Sequence, residues 1–259
     1  MSLTKTTKLI LIISISFIVV SAAVATPTSI VLVSLNKPIQ FNLLENAGIM
    51  IEARGMRIYV DPINLVSSYG DLPADAILIT HDHYDHYDEA TIDLLQKSDT
   101  LNVFPTYLTS HITHHDGLGV VPGDSFKVGP IKITCFYMYT LALGGYPSSH
   151  PQENNYTSYL IDTGRLTFFH AGDSANIPEY SQLAGLVNVA MLPLGPGCQT
   201  MAGMDVVLAL GEIDPDYFVP IHFAIGADVT FCIDYTTAIE SRGIELLHMS
   251  YYSTHVFNA

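Results

Sequence analysis

A short, mostly apolar run at residues 76–80 stops at His81-Asp82-His83-Tyr84-Asp85-His86-Tyr87-Asp88. No core absorbs three imidazoles and three carboxylates in eight positions, because an unpaired buried charge or polar group is costly. The chain must therefore end a strand here and leave the polar stretch at a strand mouth. In extended backbone alternate residues face the same way, so His81 and His83 are able to share one ion. Asp85 and His86 follow as the chain turns, and are placed to face a second. Imidazole suits zinc, copper, iron and nickel, and carboxylate also admits manganese.

The rest of the chain supplies a frame for such a mouth. Its 259 residues are 49% hydrophobic and only 14% charged, which excludes a disordered chain. Residues 29–35, 48–53, 57–60, 76–80, 101–104, 125–128 and 131–137 read as strands, being short apolar runs bounded by turn residues. Residues 157–162 and 165–170 read as a hairpin around Thr163-Gly164, and 187–192 and 217–221 as further strands. Helices are expected at 88–96, with Asp88 as N-cap, at 203–213 and at 230–241. Residues 139–156 form a long loop rich in Gly, Pro, Ser and Asn, a length that is usually functional. No repeat or linker divides the chain.

Twenty-five acidic residues against ten basic ones exclude nucleic acid as a routine partner, since that binding neutralises phosphates with Lys and Arg. Cys135, Cys198 and Cys232 are too few for a disulfide framework. The N-terminus carries Lys5 and Lys8, an apolar run at 9–20 and small residues at Ala23-Val24-Ala25. That layout reads as a secretory signal over residues 1–25, with an uncleaved membrane anchor as the alternative. Residues 26–259 then form one domain outside the cytoplasm, secreted or membrane-anchored through the N-terminus.

Three isolated residues stand where they would complete a metal site: His150 in the long loop, Asp173 in His170-Ala171-Gly172-Asp173-Ser174, and His222 at the end of a strand. Alone, each reads as an ordinary polar residue. Together with the eight-residue segment, they make the chain similar to the metallo-β-lactamase superfamily, over roughly residues 46–223. The stretch 80–88 most resembles ascorbate-6-phosphate lactonases and the N-acyl-phosphatidylethanolamine phospholipase D group. Arg57-Ile58-Tyr59-Val60-Asp61-Pro62 and Met191-Leu192-Pro193-Leu194-Gly195 fit that lineage too. Many relatives have Gly-His-Ala-Ser where this chain reads Glu45-Asn46-Ala47-Gly48, so a substrate contact by that histidine does not carry over.

The resemblance implies an α/β fold, a four-layer αββα sandwich, and two divalent metal ions, zinc first with manganese or iron as alternatives. It implies that His81, His83 and His150 hold one ion, Asp85, His86 and His222 the other, and that Asp173 bridges them. Asp61 would orient a ligand imidazole, or else simply end its strand before Pro62. Such a centre stays net positive and is able to generate a hydroxide nucleophile without Lys or Arg. Asp85 is the expected catalytic carboxylate, orienting that nucleophile and passing its proton to the leaving group. The implied activity is metal-dependent hydrolysis of an ester, lactone, amide or phosphodiester in a small-molecule or lipid substrate. The alternatives are an exported metal-binding protein without turnover and an iron-dependent oxidoreductase on the same fold. Substrate contacts and oligomeric state are not readable.

Other residues take plainer readings. His111, His114 and His115 are expected in a polar surface turn, and His170 in a structural role at a strand end. Tyr84 and Tyr87 either line the mouth or pack on the helix. Cys198 reads first as a free or buried thiol, ahead of a metal role. Asn155-Tyr156-Thr157 is a glycosylation sequon whose glycan would crowd His150.

Overall fold

Fourteen strands in two sheets frame the computed structural model, which describes residues 37–258. The readings of residues 1–25 and 29–35 lie outside the described residues. The first sheet holds β1 (Ile39–Leu43), β2 (Ile49–Ala53), β3 (Met56–Val60), β4 (Ala76–Leu78), β5 (Leu101–Pro105), β6 (Leu118–Val120) and β14 (Ser253–Phe257). Their order is β14-β1-β2-β3-β4-β5-β6, antiparallel as far as β3 and parallel from β3 to β6. The second sheet holds β7 (Ser125–Val128), β8 (Ile131–Tyr137), β9 (Thr157–Asp162), β10 (Thr167–His170), β11 (Val189–Pro193), β12 (Tyr217–Ile221) and β13 (Glu245–Leu246). It repeats the plan: β7 to β10 antiparallel, then β10, β11, β12 and β13 parallel.

Alternation along each strand builds the layers, because successive side chains point to opposite faces. Ile58, Val60, Val103, Ile133, Phe168, Met191 and Val219 meet in the core between the sheets. Their neighbours Tyr59 and Phe104 face the other way, onto Ile92 and Leu95 of α1 (Glu89–Leu95). On the far side Phe169, Leu192 and Phe218 pack on Val206 and Leu210 of α3 (Gly203–Ile213) and on Phe231 and Ile239 of α4 (Ala227–Glu240). The result is the expected four-layer αββα sandwich.

Asp88 caps α1 as expected, its carboxylate accepting from the Ala90 N–H. Several details differ from the sequence reading. His111 and His114 lie in a short helix, α2 (Thr109–His114), instead of a polar turn. Phe104 stacks beneath His111 and His115, and that aromatic support substitutes for an apolar stripe. Helix α4 begins three residues earlier than expected, after Gly226 in a left-handed conformation. Strands β1, β6, β13 and β14 and a 3₁₀ turn at Pro178–Leu183 were not anticipated. Among the described residues no helix is long and apolar enough to cross a membrane.

Candidate metal centre

The parallel strands of both sheets run toward one end of the sandwich, where strand-end loops of α/β sheets collect ligands. The exit of β4 carries residues 81–86. Asp61 follows β3, Asp173 follows β10 and His222 follows β12. His150 comes from the loop between β8 and β9, whose backbone folds back on itself through the Thr140 N–H to His150 carbonyl bond (3.0 Å).

All seven expected ligands converge there. One donor atom each from His81, His83, His150 and Asp173 lies within 4.8 Å of the others, and a second such group is Asp85, His86 and His222. Asp173 stands between the groups. Its Oδ1 is 3.1 Å from His86 Nε2, and its Oδ2 is 3.3 Å from His222 Nε2, 3.8 Å from His150 Nε2 and 4.0 Å from His81 Nε2. Gly172 makes this placement possible: its φ is +57°, and a Cβ there would stand 2.6 Å from Met138 Sδ.

The hydrogen bonds fix which ring nitrogens face inward. Thr80 Oγ1 spends its one hydrogen on Asp61 Oδ2 (2.6 Å), so toward His81 Nδ1 (3.0 Å) it accepts, which leaves His81 Nε2 as a lone pair. Asp61 also accepts from the Thr80 N–H (2.8 Å) and from His86 Nδ1 (2.8 Å). Asp61 thus holds His86 through Nδ1, with Nε2 turned to Asp173. Ser149 does for His150 what Thr80 does for His81: its Oγ donates to the Cys198 carbonyl (2.6 Å) and lies 3.0 Å from His150 Nδ1.

What remains is a set of buried polar atoms without hydrogen-bond partners: His81 Nε2, His86 Nε2, His222 Nε2 and Asp173 Oδ1. Buried polar atoms are normally satisfied. Four orphans aimed into one space from nitrogen and carboxylate donors fit divalent cations. The protonation tendencies agree for His81 and His150 of the first group. Burial holds His150 down to about 4 and keeps His81 well below its ordinary value, so both are neutral, as ligands must be. Burial also lowers His86, but the carboxylates of Asp173 and Asp61 override it and raise that group overall. Burial opposes ionisation of Asp173, yet the surrounding imidazoles, His86 first, hold its carboxyl far below the usual range. A hydrogen bond with His222 lowers Asp85.

His170 is structural. Its Nε2–H donates to the Ala47 carbonyl (2.7 Å) and its Nδ1 accepts from the Gly172 N–H (3.1 Å), so no nitrogen is left over. Tyr87 packs under α2 with its hydroxyl 2.9 Å from His115 Nε2, whereas Tyr84 is 90% exposed at the mouth. Asn155 is exposed.

One contributor, Asn46, escaped the sequence reading, while Cys198 is the free thiol expected first. Asn46, at φ +57°, donates from Nδ2 to the Asp85 carbonyl (2.9 Å), and its own carbonyl accepts from the His222 N–H (3.0 Å). It therefore ties two ligands of the second group. Cys198 is exposed and unpaired, and its sulfur lies within 4.8 Å of donor atoms of Asp173 and His222.

Comparison with known proteins agrees with this geometry. The family profile "Beta-lactamase superfamily domain" matches residues 40–222. A metal-dependent hydrolase of Bacillus thuringiensis (strain Al Hakam) is 30% identical over 194 residues, covering 68% of this chain and 81% of that protein. A crystal structure from Parabacteroides distasonis, described as a metal-dependent hydrolase, superposes with a TM-score of 0.67 at 26% identity, over 81% of this chain and 91% of that one. The same fold appears in a diiron β-hydroxylase of Streptomyces venezuelae (TM-score 0.64, 15% identity, 86% of this chain and 54% of that one).

Proposed function

The chain belongs to the beta-lactamase superfamily and is a metal-dependent hydrolase, and from that premise we propose a dinuclear centre that cleaves an ester, lactone, amide or phosphodiester. His81, His83, His150 and Asp173 would hold one divalent cation. Asp85, His86 and His222 would hold the other, with Asp173 shared. The observation that carries this is the Asp173 carboxylate, buried between the two donor groups with an unpartnered oxygen.

Bound there, a cation pair supplies Lewis acidity to the scissile group and brings a water's ionisation near neutral pH. The protein's part is to position and to move protons. Asp61, Thr80 and Ser149 hold the His86, His81 and His150 rings in place. Asp85 is only partly buried, is held by Asn46, and lies 3.3 Å from His222 Nε2. Its carboxylate orients the attacking water and carries the proton to the leaving group. None of the residues that build the site is a lysine or arginine, so charge on the transition state falls to the cations.

Five imidazoles with carboxylates favour zinc, with manganese or iron admissible. Exposed Tyr84, Leu141, Leu143, Tyr146 and Ile225 stand on the loops that carry His83, His150 and His222. They support a substrate with an apolar group beside the scissile bond, whether a small molecule or a lipid. An export signal or anchor in residues 1–25 belongs to the same proposal and is checked by N-terminal sequencing of the mature protein.

The test is hydrolysis of aryl esters and bis-aryl phosphodiesters by purified protein before and after chelation. Activity should vanish with the metal, return with zinc or manganese, and favour longer acyl groups. Hydrolysis that survives metal removal would overturn the reading. Full metal loading without turnover on any of these bonds would favour sequestration. Oxygen consumption on loading with iron would favour an oxidoreductase.

A further inference from the structure

Four of the segments around the mouth of the sandwich carry no charge. Residues 106–110 follow β5, 139–149 follow β8, 194–204 follow β11 and 223–227 follow β12, and none of them holds an Asp, Glu, Lys or Arg. The chain has 25 acidic and ten basic residues to place. Every lysine and arginine among the described residues lies toward the opposite end, as Arg54 and Arg57 do at the β2–β3 turn and Lys127 and Lys132 at the β7–β8 turn. Charge at the mouth is therefore carboxylate only.

Large apolar side chains are held outward there by ordered backbone. The Leu143 N–H donates to the Tyr146 carbonyl (3.2 Å) and the Tyr146 N–H to the Leu143 carbonyl (3.0 Å). Gly144 and Gly145, at φ +61° and +84°, close the two-residue turn between them. The base of this finger is fastened by Ser148 Oγ, which donates to the Thr140 carbonyl (2.8 Å), and by the Ser149 N–H, which donates to Gln199 Oε1 (2.7 Å). Leu143 is 68% and Tyr146 73% exposed, with Leu141 exposed beside them. Tyr84, Tyr107 and Ile225 stand exposed on the neighbouring strand exits. Single exposed apolar residues are ordinary, whereas a cluster of them at one end marks an interaction surface.

Two observations say what covers it. Tyrosines among aliphatic tips match the boundary of a bilayer, where rings with one polar end collect at headgroup level. The chain also carries its own apolar stretch: residues 9–28 have no charged residue and are long enough to span. Residues 29–36 join that stretch to the described chain and reach at most about 26–29 Å. From there β1 climbs to the mouth in about 17 Å. A span at 9–28 and the mouth are thus able to meet the same bilayer.

We propose that this rim docks on a bilayer surface of zwitterionic lipid, beyond any anchoring by residues 1–25. Purely negative charge at the mouth disfavours anionic lipid. Docked this way, the metal centre faces the headgroups. That the substrate is then a lipid rests on the functional reading above; the docking itself does not.

The chain has no tryptophan, so one introduced indole reports its own surroundings. Full-length Leu143→Trp and Ile225→Trp are compared with Val256→Trp, which lies on β14 at the opposite end. Unchanged melting temperatures show that each variant is folded. With phosphatidylcholine vesicles brominated in the acyl chains, fluorescence at positions 143 and 225 should be quenched and shift to the blue, and at 256 should do neither. Adding Leu143→Asp to the Ile225→Trp chain should reverse most of both effects, and phosphatidylglycerol in the vesicles should weaken them. Fluorescence at 143 and 225 that ignores the vesicles, or quenching equal at 256, would overturn the proposal. Docking that needs anionic lipid would overturn it as well. A dimer in solution that Leu143→Asp splits, with no quenching, would give the rim to a second copy instead. Quenching should survive chelation, so failure of the docking leaves the metal centre standing, and failure of the metal centre leaves the docking.

Discussion

The two donor groups are built differently. In the first, His81, His150 and Asp173 are buried, and hydroxyls of Thr80 and Ser149 hold the two imidazoles from behind. In the second, His86 and His222 are buried and Asp85 is half-buried, as His83 is in the first; behind them a carboxylate, Asp61, holds His86, and Asn46 ties Asp85 to His222. Burial therefore does not separate the groups; what differs is that neutral hydroxyls back the first and a carboxylate and an amide back the second. Asp173 stands between the two and joins them.

The contrast is broken most severely at Asp173. Asp173→Ala should lower affinity for both cations by more than about 100-fold and abolish hydrolysis; metal titration with a parallel rate assay checks this. If one position keeps full affinity, the two groups are not joined through this carboxylate. Asp85→Asn should separate them instead. The first cation stays, while kcat drops about 10²–10⁴-fold, the usual worth of a positioned acid–base group. Loss of both cations in that variant would erase the distinction between the two donor groups.

Asn46→Ala is the gentler cut. It frees the Asp85 backbone but leaves every donor present, so second-cation affinity should fall about 10-fold with the first unchanged. Calorimetric titration resolves the two steps. The smallest expected effect is on stability of the metal-free protein. His150, held to about 4, and His81 and His170, held low by burial, bind protons more readily unfolded than folded below about pH 6.5. Stability therefore falls as pH drops from about 6.5 toward 4, with raised His86 opposing it. A net loss near 1 kcal/mol would lower the melting temperature by about 2–4 °C. A midpoint that rises across that window would reverse the assignment of neutral imidazoles to His81 and His150.

Legibility in the sequence follows the same division. Residues 81–86 were readable because their donors lie together on one strand exit. His150, Asp173 and His222 are single polar residues in sequence, and only the resemblance to a known family joined them. Asn46 was missed as a contributor because its role depends on neighbours distant along the chain: it meets residues 85 and 222. In the fold, strongly apolar strands were plain, while β1 was overlooked although Ile39-Gln40-Phe41-Asn42-Leu43 alternates cleanly. Helix α2 has no buried residue of its own, so its sequence carried no helical stripe to detect.

The most direct test of the account is elemental analysis of protein loaded with zinc or manganese and then freed of loose metal. Two tightly held cations per chain are expected, falling to one in Asp85→Asn. A wild-type value that saturates at one, or binding that Asp173→Ala leaves intact, would contradict it.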